Sequence, residues 1–71
     1  MDMDFLKESV EYYEKALTID GEVYGEKHPS VAIDLNNLGS AWDSVGDSKK
    51  AVEYFVKASQ IFHEALGLDH P

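Results

Sequence analysis

The chain contains no cysteine and no arginine. Without cysteine there is no disulfide framework, no thiolate zinc site and no thiol nucleophile, so the commonest staples of a very small domain are missing. Six lysines stand against 14 aspartates and glutamates, a formal charge of −8, and the densest basic cluster is Lys49-Lys50. Phosphate recognition needs a basic patch, so nucleic acid and anionic membrane surfaces are excluded as partners. No apolar run approaches the ~18 residues needed to cross a bilayer. The start, Met1-Asp2-Met3-Asp4, is acidic where a secretory leader is basic, so the expected location is the cytoplasm.

What remains is 71 residues, 44% of them hydrophobic. That is too apolar for an acidic disordered tail. A chain of this length nevertheless buries only ~60% of the surface it exposes unfolded, so help from outside its own core is expected.

The chain repeats itself. Shifted by 42 positions, 11 of 29 aligned pairs are identical, among them Val10 on Val52, Tyr12 on Tyr54, Ala16 on Ala58, Ile19 on Ile61, Gly25 on Gly67 and Pro29 on Pro71. The identities fall at helical spacings, as expected of one amphipathic helix used twice. The predicted layout is a helix over about 4–24, a full repeat over about 25–66, and the start of another junction at 67–71.

Punctuation divides this layout into three helices. Gly25 is placed to end the first, Pro29 suits the first turn of the second with His28 or Ser30 as its cap, and Gly46 ends it. Asp47 caps the third helix. The turn at Gly46-Asp47 is short, which folds the second and third helices back antiparallel. Val31, Leu35, Leu38, Trp42 and Val45 give the second helix a narrow seam. The first and third carry wider arcs, with stripes such as Tyr12, Ala16, Ile19 and Tyr54, Ala58, Ile61 that call for two neighbours each. Gly39 in mid-helix predicts a close neighbour near Ala51 and Phe55.

Leu35, Leu38-Gly39, Trp42, Gly46, Ala51, Phe55 and Ala58 resemble the signature positions of a tetratricopeptide repeat, in which an A helix alternates with a B helix. The 42-residue period exceeds the usual ~34 and is similar to the longer repeats of the kinesin light chain type. The resemblance covers nearly the whole chain, least well at Met1 to Leu6. It implies an all-α, helical-repeat solenoid fragment of three antiparallel helices in the order B-A-B, and a scaffold that binds proteins or peptides, not an enzyme.

Carried over residue by residue, the ligand face of the A helix is Ile33, Asn36, Asn37, Ser40, Asp43 and Ser44. An Asn there can hold both the N–H and the C=O of an extended peptide; the plainer alternative is that these side chains only solvate the helix or bond locally. The basic clamp some relatives use for carboxylate tails is missing, and Asp43 has the opposite sign, so basic or neutral peptides are the expected ligands. The first helix lacks its own A helix and the third lacks a following one. Tyr12, Ile19, Tyr54, Ile61 and Leu66 are therefore expected on uncovered faces that associate with other copies, by stacking or by helix exchange. Such an oligomer should tighten with salt.

No cofactor or metal is expected. His28 and His70 recur one repeat apart, too far to share an ion, and His63-Glu64 lacks a second His four residues on. Asp34, Asp43 and Asp47 carry no mark of an acid–base pair, and Ser9, Ser40, Ser44 and Ser59 have no His at a useful spacing.

Overall fold

The computed structural model describes the backbone of residues 3–67 and the side chains of 5–67. Three α-helices make up the described chain: α1 over Met3–Tyr24, α2 over Pro29–Val45 and α3 over Ser48–Leu66. The architecture is all-α, as the sequence predicts. The first helix begins at Met3, so the Met1 to Leu6 stretch that fits the repeat least well is in part helical.

Each boundary has a local cause. His28, in extended conformation, caps α2: its Nδ1 accepts from the Ser30 N–H at 3.0 Å, its ring stacks on Tyr24 at 4.5 Å, and Pro29 follows at the first helical position, where no N–H is needed. Gly46 ends α2 at φ 103°, a backbone only glycine adopts without strain. Its N–H donates to the Asp43 carbonyl while the Asp47 N–H donates to that of Trp42, so two carbonyls of the last turn are satisfied. Asp47 then caps α3 by accepting from the Lys50 N–H at 3.1 Å. The expected junction beyond Gly67, with His70 and Pro71, lies outside the described residues.

The middle helix holds the assembly together. Both α1 and α3 pack on α2, with no close backbone approach between α1 and α3 among the described residues, in a slab measuring 44 × 27 × 12 Å. One cluster joins Val31, Ala32 and Leu35 of α2 to Ala58 of α3, flanked by Leu17, Tyr54, Ile61 and Phe62. The other joins Leu38 and Ala41 of α2 to Val10 of α1, flanked by Tyr13, Leu17, Trp42, Val45 and Tyr54. Leu38 is completely buried.

This distribution corrects the expected one in a specific way. The narrow seam belongs to α1 and α3, each of which meets one neighbour; α2 meets two and buries a wide arc that adds Ala32, Asp34, Gly39 and Ala41 to the seam. Gly39 does face Phe55. A Cβ placed on it would stand 2.7 Å from the Phe55 ring, so the glycine, which costs ~1 kcal/mol in helix propensity, is what lets α2 and α3 approach.

Candidate interaction surfaces

Successive residues of an α-helix are turned by about 100°. The side of α2 opposite Val31 and Leu35 therefore carries Ile33, Asn36, Ser40 and Ser44, with Asn37 and Asp43 at its margins. Asn37 is half-buried and the other five are exposed. Among the described residues no side-chain hydrogen bond engages Asn36, Asn37, Ser40 or Ser44. The two carboxamides thus keep their donors and acceptors available, and no lysine lies on this face.

The outer edges of α1 and α3 form two further surfaces. On α1 the exposed side chains Phe5, Tyr12, Ile19 and Val23 lie along one stripe, with Ser9 and Ala16 between them. Spacings of four and three repeat along it, the pattern of a helix seam that meets another helix. On α3 the outer edge is Val52, Ser59 and Leu66, beside the exposed Val56.

Of the five residues expected on uncovered faces, Tyr12, Ile19 and Leu66 are exposed, whereas Tyr54 and Ile61 are half-buried against the core clusters. The 42-residue repeat explains the difference. Ser9, Tyr12, Ala16 and Ile19 of α1 correspond to Ala51, Tyr54, Ala58 and Ile61 of α3. The α3 set faces α2; the α1 set faces no helix of this chain. Conversely, Val10 and Tyr13 pack on α2, whereas Val52, the counterpart of Val10, is exposed and Phe55, the counterpart of Tyr13, reaches α2 at Gly39. The shared pattern of α1 and α3 is thus turned differently towards α2 in the two helices.

A trough of about 690 Å³ separates α1 from α3 on the side of α2 away from the Asn residues. Its floor is Leu17, Val31, Leu35 and Ile61, and Gly21 lines the α1 wall. Lys27 and Glu64 form an exposed ion pair at its margin, 3.5 Å apart.

Asp34 is the one buried charged residue among those described. It sits in α2 on the side towards α1, and its Oδ2 is buried without a partner. Burial, then a hydrogen bond with Asp20 and the charge of that carboxylate, push its pKa up to about 6. Sequence reasoning missed this pair because a carboxylate inside an apolar arc, 14 residues after another, has no marker until two helices are set side by side. Among the described residues no group of three or more His, Cys, Asp or Glu is arranged to hold a metal. No described helix is long and apolar enough to cross a membrane.

Comparison with known proteins places these surfaces in a wider setting. The family model described as "Tetratricopeptide repeat" matches residues 1–64. The chain is similar to "Tetratricopeptide repeat protein 19, mitochondrial" of Rattus norvegicus, at 35% identity over 66 residues that cover 93% of this chain and 17% of that protein. The protein of the same name from Mus musculus is 33% identical over 66 residues, again 93% of this chain and 17% of the relative. That of Homo sapiens is 36% identical over 59 residues, 83% of this chain and 15% of the relative. The chain thus spans about a sixth of the length of the curated relatives it matches. Their names carry the word mitochondrial, which lends no support to the cytoplasmic expectation. No solved structure matches.

Proposed function

The chain belongs to the tetratricopeptide repeat family, and from that premise we propose that it is a non-enzymatic interaction module whose α2 outer face binds an extended peptide. Repeats of this family generally mediate protein–protein contacts. The observation that carries the proposal is the pair Asn36 and Asn37, whose carboxamides have no intramolecular side-chain partner among the described residues. Each carboxamide offers an acceptor and two donors, the complement of a peptide group's N–H and C=O. Ile33 adds apolar contact, and Ser40 and Ser44 extend the polar stripe. With Asp43 at the margin and −8 on the whole chain, the ligand is a basic or neutral peptide.

The test is to select peptides from a displayed library and titrate the best against Asn36→Ala with Asn37→Ala. A loss of about tenfold or more at unchanged helicity supports the reading; unchanged affinity removes it.

We divide the chain into a B-type helix, α1, and a complete A–B repeat, α2 with α3, of the long kinesin light chain type. In support, Gly25 and Gly67 stand 42 residues apart, each ends a B-type helix with positive φ (94° and 68°), and each donates its N–H to the carbonyl four residues back.

A second reading is self-association through the outer edges of α1 and α3. What favours it is the pair of exposed seams together with their charge: α1 carries two lysines against six carboxylates, and α3 three lysines against two. Edge-to-edge stacking would set the acidic helix beside the slightly basic one. Light scattering decides: a monomer over the micromolar range eliminates this reading.

A further inference from the structure

We propose that the trough between α1 and α3 is a second docking site, for a partner segment that presents one large apolar side chain with a lysine or arginine beside it. The trough lies on the side of α2 opposite Asn36 and Asn37, so the proposal is separate from the peptide face described above.

Two glycines within helices carry the argument. At Gly39 the missing side chain has an internal explanation, because the Phe55 ring occupies its place. At Gly21 it has none: a Cβ there would meet nothing within 4 Å. Gly21 is half-buried in the wall of the trough, so its bare backbone leaves a notch beside an apolar floor of Leu17, Val31, Leu35 and Ile61. The fold gains nothing from this glycine in α1, whereas an apolar side chain seated on that floor gains room for close approach. The volume, about 690 Å³, is in the range of pockets that hold an anchor group.

The charge at the rim sets the rest of the ligand's chemistry. Lys27 forms an exposed pair with Glu64, and Lys57 keeps its charge on the α3 side, 5.7 Å from the Tyr54 ring. Glu22 and Glu26 on the α1 side have no such partner among the described residues, which makes that rim acidic and suits a basic neighbour to the apolar anchor. Extension of the array leaves the site open. The seam of α1 that would take a further helix, at Phe5, Tyr12, Ile19 and Val23, points away from the wall formed by Thr18 and Gly21.

The probe is an acetylated, amidated peptide with a Trp-Leu pair flanked on each side by two lysines, titrated into the labelled chain and followed by methyl and amide NMR. The expected result is a saturable shift of Leu17, Val31, Leu35 and Ile61. Gly21→Leu fills the notch and should weaken binding by about tenfold or more, while its improved helix propensity keeps it folded. Glu22→Gln with Glu26→Gln should weaken binding several-fold and flatten its salt dependence. No saturable shift, shifts confined to the outer edges of α1 and α3 or to the Asn face, or equal binding by Gly21→Leu would overturn the proposal.

Discussion

The Phe55 ring of α3 stands where the side chain of residue 39 in α2 would be, 2.7 Å from the position of a Cβ on Gly39. The contact fixes how closely these helices approach. Gly39→Ala gains ~1 kcal/mol in helix propensity, yet it drives the ring outward, an overpacking cost of about 1–3 kcal/mol. The expected net effect is a loss of about 1 kcal/mol in urea unfolding. Combined with Phe55→Leu, the same substitution becomes stabilising, and the double-mutant cycle reads a coupling of about 1 kcal/mol or more. Additive effects would show that the two residues do not touch.

Asp34 gives the fold a pH dependence whose sign follows from its environment. Its folded-state pKa of about 6 is raised above the ordinary carboxylate value by burial and by Asp20. The folded state therefore binds this proton more tightly than the unfolded one. The contribution is fully present below the unfolded-state pKa and is lost as pH rises through about 6. Asp34→Asn removes the buried charge and keeps a donor for Asp20. It should stabilise the protein at neutral pH by up to about 3 kcal/mol, the most that a pKa of about 6 allows. The difference in stability between the variant and the native chain should shrink as pH falls from 7 to 4. A constant difference across that range would contradict the pairing.

The two isoleucines one repeat apart offer a controlled comparison. Ile61 packs on the Val31, Ala32, Leu35 and Ala58 cluster, whereas Ile19 is 59% exposed. Ile61→Ala should cost about 2 kcal/mol and Ile19→Ala no more than about 0.5 kcal/mol. If the chain self-associates through its outer edges, Ile19→Ala also lowers the solution mass and Ile61→Ala does not. Equal costs would mean that α1 and α3 use the same side against α2.

The caps are testable in the same way. His28→Ala removes both the acceptor for the Ser30 N–H and the ring stacked on Tyr24, and Asp47→Ala removes the acceptor for the Lys50 N–H. Each should cost about 1 kcal/mol, and Asn at position 28 should recover most of the first loss. Denaturant melts of the three variants check this.

These cases also mark how far the chain could be read from its residues. Gly25, Pro29, Gly46 and Asp47 locate the helix ends because capping is local, and it needs no knowledge of the tertiary packing. Gly39 predicted its partner because a glycine inside a helix has few reasons to be there. The burial of α2 and the exposure of Tyr12 against Tyr54 were not legible in the same way. A repeat sequence encodes every side that a longer array would cover, but this chain supplies only one neighbour each to α1 and α3, so identical residues meet core in one helix and solvent in the other. The Asp20–Asp34 pair and the notch at Gly21 arise only when α1, α2 and α3 are set side by side. The polar stripe of α2 was legible, since the spacing of Ile33, Asn36, Ser40 and Ser44 follows from the helical period alone.

The central claim is that Asn36 and Asn37 grip a peptide backbone, and their side-chain amide protons report on it directly. In NMR spectra of the chain titrated with a library-selected peptide, the account predicts that both carboxamide NH₂ pairs shift and saturate together with the Ser40 amide. Carboxamide signals that stay in place while the peptide binds elsewhere would contradict it.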